Sequence, residues 1–384
     1  MNHITAIAAN RGLARFTVPR PAWTSAIGVD QLKAIAGTSG AGGADVDAYC
    51  GGALNYSTNE ILFGLCGGHY NGYDNRLVGM SLLADTLSWS LRKASSLTSD
   101  PGPAYYDQPY NADGTPTARH TYDSVHFVPQ QNRLMFVGNY GAYGGPGGGE
   151  SGSGAENNNV MDGFNLDTNT FDPAGTWPWP ASSDGFWGYA KAGPTGDIHA
   201  IWGAAGQRIY RVATNDWITP TVVNQQSAVV KMPWAWNSTS GYLFGLTIGD
   251  GHGAGTDVRA IKQVRTNGTT VTQTAITFNA SAAYTQFQAD LGAYAAMDWN
   301  PTDGYFLWYA GDYSNAGHLY KITPNPGTAW DMEILSPAAG SDALPATGNN
   351  TLNRKMWFVT LPGGVEGFAI FPAKAANMHF LRTA

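Results

Sequence analysis

The chain of 384 residues carries 49 Gly, 13 Trp, 19 Tyr and 15 Phe, yet only 13% of it is charged. So few charged side chains exclude a coiled coil or long exposed helices, whose solvent faces require them, while a hydrophobic content of 43% excludes a disordered chain. A net charge of −7 without any basic run argues against nucleic acid as a partner, and no apolar run reaches the roughly 20 residues of a membrane-spanning helix.

The first twenty residues are interrupted by Arg11, Arg15 and Arg20 and lack an apolar core of signal-peptide length, so Sec-type export is not expected. From residue 51 a unit repeats: a short strand, a polar turn, an apolar strand, a Gly-rich loop, a third strand and often a Trp. The first copy runs from Gly51–Tyr56 through Glu60–Gly68 and Arg76–Leu82 to Trp89, and the second through Tyr122–Val128, Arg133–Gly138 and Val160–Phe171. A looser third copy spans Gly188–Trp217. The fourth has Val229–Trp236, Gly241–Leu246 and Val258–Val264; the fifth, Tyr294–Trp299, Gly304–Gly311, His318–Ile322 and Trp330. The sixth starts at Lys355 and stops after a third strand near Arg382. Residues before the second strand (Asn59, Asn132, Asp197, Ser240, Asp303, Glu366) recur every ~61 residues, slightly long for a propeller blade.

The fourth strand missing from the last copy has a counterpart at the other end, because Pro21–Ile27 (PAWTSAI) matches Thr328–Ile334 (TAWDMEI). An N-terminal segment, residues 15–30, is therefore expected to complete the last blade and close a ring, which removes exposed sheet edges and makes 1–384 one domain. The segments GGHYNGYDN (Gly67–Asn75) and ARHTYDSVHFVPQQNRLMFVG (Ala118–Gly138) resemble the kelch-like, galactose-oxidase-type β-propellers, including a group found in bacteria and tailed phages. The resemblance implies an all-β fold, a six-bladed propeller of four-stranded antiparallel blades, with seven blades as the alternative. Such motifs specify architecture and not activity.

In a blade that meanders outward, the loop between strands two and three shares a face with the connections between blades. Three insertions point to that face: 99–119, 139–159 and 173–187, all around the second blade. Planar side chains on a rigid scaffold supply contact area at low entropic cost, so the expected ligand-binding residues are His69, Tyr73, Asp74, Tyr105, Tyr106, Tyr110, Tyr140, Tyr143, Trp177 and Trp179. The competing structural reading is that the Gly-rich loops are merely flexible and that the Trp-Pro-Trp-Pro run caps the space between blades.

Catalytic signatures are weak. No HExxH, GxSxG or P-loop pattern occurs, and His126, His199, His318 and His379 lie within or at the start of strands. Asp74, Asp107, Asp184, Asp250 and Asp312 all fall on the candidate face, where a glycosidase would need two facing carboxylates. Some kelch-like propellers are copper oxidases with a cross-linked Tyr and Cys; Cys50 follows Tyr49 here, but no matching Tyr and His set accompanies it. No catalytic residue, metal or cofactor is therefore assigned. If Ser57 and Thr58 centre the first hairpin, Cys50 and Cys66 lie opposite one another with Cβ atoms about 4.5–5.5 Å apart, slightly beyond disulfide spacing, and adjacent reduced thiols are expected.

These observations lead to a non-enzymatic binding or structural module, expected from the resemblance to be a tail-associated virion protein assembled in the host cytoplasm. Its expected partners are other virion or assembly proteins or a host-surface polysaccharide, with no nucleic acid and no membrane span. The alternative function is a carbohydrate-active lyase or hydrolase on the same face; the alternative locations are the bacterial cytoplasm and non-classical export.

Overall fold

The computed structural model describes residues 15–18, 50–66, 74–84, 90–97, 108–119, 121, 123–139, 159–179, 190–192, 196–201, 207–226, 233–248, 258–290, 295–309, 318–335, 355–371 and 378–383. Strand β1 (Arg15–Val18) precedes a series of antiparallel meanders. The first comprises β2 (Ala53–Asn55), β3 (Glu60–Gly64), β4 (Leu77–Ser81) and β5 (Ser90–Lys93). The second comprises β6 (Val125–Val128), β7 (Arg133–Asn139), β8 (Asn159–Asn165) and β9 (Thr170–Phe171), and the third β10 (Ala190–Ala192), β11 (Ile198–Ala200), β12 (Arg208–Arg211) and β13 (Asp216–Ile218). After β14 (Thr221–Val223) comes the fourth, with β15 (Trp234–Asn237), β16 (Tyr242–Ile248), β17 (Val258–Thr266) and β18 (Thr270–Phe278). Helix α1 (Ala282–Ala289) leads to the fifth, formed by β19 (Ala296–Asn300), β20 (Tyr305–Tyr309), β21 (Leu319–Thr323) and β22 (Ala329–Leu335). The last contains β23 (Met356–Leu361), β24 (Val365–Ile370) and β25 (Met378–Arg382).

In the first, fourth and fifth meanders the first hairpin is set by one local device. Asn55 Oδ1 accepts from Ser57 N at 3.0 Å, Asn237 Oδ1 from Ser240 N at 2.8 Å, and Asn300 Oδ1 from Thr302 N at 2.9 Å and Asp303 N at 3.0 Å. Each of these turns ends on a residue that tolerates a left-handed backbone, Asn59 (φ 50°), Gly241 (φ 70°) or Gly304 (φ 75°). The second strands that follow are predominantly apolar, and β3 and β20 are buried along their whole length because both faces of their sheets are covered.

Six apolar clusters describe how the meanders pack, each shared by two neighbours. Leu62 and Phe136 belong to the cluster joining the first and second, Met135 and Ile198 to that joining the second and third, and Ile201 and Leu243 to that joining the third and fourth. Phe244 packs with Phe306 between the fourth and fifth, and Leu307 with Phe368 between the fifth and sixth. The remaining cluster returns to the start, since Phe63 and Cys50 pack with Trp357 and Phe371. The meanders thus form a closed cycle, in which the first strands β2, β6, β10, β15, β19 and β23 lie in sequence side by side.

The N-terminal strand completes the last meander, antiparallel to β25 with Arg15 opposite Leu381 and Val18 opposite Met378. The paired residues precede Pro21–Ile27, the segment that the Trp motif pointed to, which lies outside the described residues. The fourth and fifth meanders also form one nine-stranded sheet, which the repeat pattern does not anticipate. Its long outer strand β18 pairs in parallel with β14 (Thr221 opposite Thr270) and with β22 (Phe278 opposite Trp330).

The cysteine register differs from expectation by one residue. Asn55 pairs with Glu60 and Ala53 with Leu62, so the turn holds four residues and extension of this register sets Cys50 against Leu65. The turn is centred between Ser57 and Thr58, and a register about that centre leaves Cys66 one residue beyond the position opposite Cys50. Both cysteines are buried and not joined in a disulfide, and Cys50 Sγ donates to Cys66 O at 3.1 Å. No helix among the described residues is long and apolar enough to cross a membrane.

Candidate functional site

Antiparallel alternation places the inter-meander connections on the same side as the loops between second and third strands. Of the ten residues expected to bind ligand, His69, Tyr73, Tyr105, Tyr106, Tyr140 and Tyr143 lie outside the described residues. So do Asp107, Asp184, Asp250 and Asp312. Asp74, Tyr110, Trp177 and Trp179 can be placed.

Asp74 is buried and consumed by its own strand entrance. Its Oδ1 accepts from Arg76 N at 3.0 Å and its Oδ2 pairs with Arg76 Nε at 2.5 Å. Burial pulls the Arg76 guanidinium below its ordinary range despite that carboxylate.

Tyr110 is half-buried in the connection between the first and second meanders, in an isolated bridge to Pro116. Its hydroxyl bonds the Asp162 carboxylate and the backbone at Gly175, and its pKa is pushed up to about 12, first by burial and then by the Asp162 charge. Asp162 in turn pairs with Arg119 Nη2 at 2.8 Å, and Arg119 is only 1% exposed. Burial raises the Asp162 pKa, against the opposing pull of Arg119 and Tyr110. The backbone of Arg119 is anchored to the first meander, where its main-chain N–H donates to Leu65 O at 2.8 Å. Among the described residues no acceptor reaches its Nε or Nη1, which leaves these donors for water or a ligand oxygen. The result is a ring half in solvent whose hydroxyl is fixed by a buried ion pair, beside the exposed turn Pro173–Thr176.

Trp177 and Trp179 lie against the other face of the same sheet. Along β8, Met161 belongs to the cluster with the third meander and Phe164 to the cluster with the first; side-chain alternation puts Asp162 on the side of Phe164 and Gly163 on the side of Met161. Trp177 crosses over Gly163, donates from Nε1 to Asp172 Oδ2 at 3.0 Å and meets Tyr210 edge-on at 6.4 Å. Trp179 packs edge-on against Trp217 at 5.2 Å, and Trp217 Nε1 donates to Pro178 O at 2.7 Å. The two tryptophans cover the cluster between the second and third meanders, so the structure does not bring them together with Tyr110.

Sequence reasoning missed Arg119 as an ionic partner and did not single out Asp162. The available signal was a carboxylate inside the apolar strand VMDGF, since a buried charge requires a partner. Among the described residues no group of three or more His, Cys, Asp or Glu side chains could hold a metal ion.

No protein-family model and no curated protein matches the chain. Among solved structures, the protein YjhT aligns with 88% of this chain and 95% of its own, at 10% identity and a TM-score of 0.45. A protein provisionally named a gluconolactonase aligns over 88% and 90% with the same identity and TM-score. An engineered GH43 glycoside hydrolase aligns over 93% of this chain and 49% of its own, at 11% identity and a TM-score of 0.34. Likenesses at this level assign neither a family nor an activity.

Proposed function

We propose that the chain is a six-bladed, kelch-like β-propeller whose looped face receives a carbohydrate, with Tyr110 as an aromatic contact. The cycle of apolar clusters supports the blade count. The observation that carries the ligand reading is the half-exposed Tyr110 ring held by Asp162 and Gly175. A ring immobilised before binding loses little entropy when a sugar stacks on it. Arg119 supplies donors that lack acceptors among the described residues, at the base of the same cluster.

The test is direct binding of the purified protein to a panel of neutral and acidic bacterial polysaccharides by biolayer interferometry. Tyr110→Ala should weaken glycan binding at least tenfold, whereas Trp179→Ala should lower the melting temperature and leave affinity within about twofold. Equal binding by Tyr110→Ala, or no glycan bound at all, would remove this reading. The virion location is a separate proposal resting on the sequence resemblance; detection of the protein in gradient-purified phage particles by mass spectrometry supports it and absence from them rejects it.

A further inference from the structure

The strongest unused chemistry lies on the fifth meander, where helix α1 delivers a carboxylate to the entrance of β21. Ser281 caps the helix by accepting from Tyr284 N at 3.0 Å. Phe287, the buried residue of the helix, packs edge-on against Trp308 at 4.7 Å and Tyr320 at 5.1 Å. The helix is thereby fixed on the sheet, and it ends at Asp290, whose N–H bonds Gln286 O at 2.9 Å and Phe287 O at 3.1 Å.

Donors converge on the Asp290 carboxylate. Gln286 Nε2 reaches Oδ1 at 2.8 Å, while His318 Nδ1 at 2.5 Å and the Tyr320 hydroxyl both bond Oδ2. Burial and the neighbouring Asp290 push the Tyr320 pKa well above 10, so its hydroxyl keeps its proton and serves as a donor. A carboxylate offers no proton to a ring nitrogen, so Nδ1 of neutral His318 must carry the hydrogen and Nε2 the lone pair. The Asp290 side chain is 5% exposed and that of His318 33% exposed. No described residue bonds Nε2. His318 ends the loop between second and third strands, and α1 lies in an inter-meander connection, so both occupy the looped side of the ring.

We infer that His318 is the general base of an ester hydrolase site, oriented by Asp290, with Tyr320 as a positioning residue. The reaction class follows from the groups present. Glycoside cleavage needs two flanking carboxyl groups about 5–9.5 Å apart, whereas the exposed group here is a single oriented imidazole. Water attack on a carboxylic ester needs one such base near neutral pH. Nε2 takes a proton as the water oxygen bonds the acyl carbon; the ester C–O bond then breaks and the imidazolium returns the proton to the leaving alkoxide. One water is consumed, and an acid and an alcohol are released.

Only the sugar portion of the substrate rests on the carbohydrate reading above; the chemistry does not. The test therefore uses p-nitrophenyl acetate and an O-acetylated polysaccharide in parallel with glycan binding. His318→Asn should reduce hydrolysis by about 10²-fold or more, and Asp290→Asn should reduce it and displace the rising limb of the pH–rate profile. Tyr320→Phe should preserve that limb while lowering the rate severalfold. Circular dichroism checks that each variant is folded, and Asp290→Glu, which retains the charge, should recover part of the rate. Nitrogen-15 NMR of the imidazole should show the Nδ1–H tautomer. Wild-type hydrolysis at the buffer rate, full activity in folded His318→Asn, or an Nε2–H tautomer would each overturn the inference. Loss of glycan binding with p-nitrophenyl acetate hydrolysis intact would reject only the carbohydrate reading.

Discussion

Single residues show how the fold holds ionisable groups in unusual states. His199 is buried on β11, and its pKa falls to about 4 from its ordinary 6.5, first by burial, then by the Arg265 charge, against the pull of Asp197. Between those values the unfolded chain binds a proton that the folded chain refuses. The contribution is therefore complete above pH 6.5 and is lost as the pH falls toward 4, on the order of 3 kcal/mol. His199→Gln removes that proton linkage, so its unfolding free energy from urea titrations should depend less steeply on pH between 6.5 and 4 than the wild-type value. Equal slopes would show that other groups carry the acid sensitivity. Gly163 marks a second limit, because an added Cβ would lie 2.4 Å from Trp177 Nε1 and 2.5 Å from Asp172 Oδ2. Gly163→Ala should cost about 1–3 kcal/mol by displacing the Trp177 cover, read as a lower urea midpoint, while Tyr110 on the opposite face should keep its ligand affinity.

Elements were legible in proportion to how local their causes are. The first hairpins of the first, fourth and fifth meanders announce themselves through Asn-containing turns and largely apolar second strands, because the Asx bond and left-handed residue act within four positions. At Cys50 and Cys66 the turn centre between Ser57 and Thr58 was legible, but the register about it sets Cys50 against Leu65 and not against Cys66. Long-range pairing left no local trace: β14 and β22 both join β18 in parallel, and β1 finds β25 across the whole chain. Candidate sites divide likewise. Tyr110 was visible as an aromatic in a long connection, but its dependence on Asp162 and Arg119 needed two meanders brought together. His318 was visible only as a strand entrance, since its partner Asp290 is 28 residues earlier, at the end of a helix. Trp330 belongs to the legible class as a recurring fourth-strand residue, and it links two meanders by lying 4.7 Å from Phe244 and parallel to Phe306 at 6.2 Å. Trp330→Ala should destabilise the protein by about 3–5 kcal/mol, and a loss below 1 kcal/mol in denaturant titration would mean that the nine-stranded sheet does not depend on this contact.

At the scale of the whole molecule, closure explains the low charge. Each meander buries both faces against neighbours, leaving strands such as β3 and β20 buried along their length and admitting charge chiefly as pairs, among them Arg119–Asp162 and Glu60–Arg92, whose carboxylate opens β3. A closed cycle also couples its units differently from a linear stack. In a stack, terminal repeats have one neighbour and can fray independently; here the first meander packs on the last through Phe63, Trp357 and Phe371. Strand β1 completes the last meander by covering β25, which would otherwise present unpaired N–H and C=O groups at a sheet edge. Removing residues 1–18 should therefore lower the melting temperature and add an early transition from the sixth meander and its neighbours, where the intact chain unfolds in one step. It should also promote concentration-dependent self-association, because the bared edge can pair with another copy. Differential scanning calorimetry and sedimentation velocity would measure both effects. A truncated protein that melts at the wild-type temperature and stays monomeric would show that the apolar cluster between the first and sixth meanders closes the ring without the N-terminal strand.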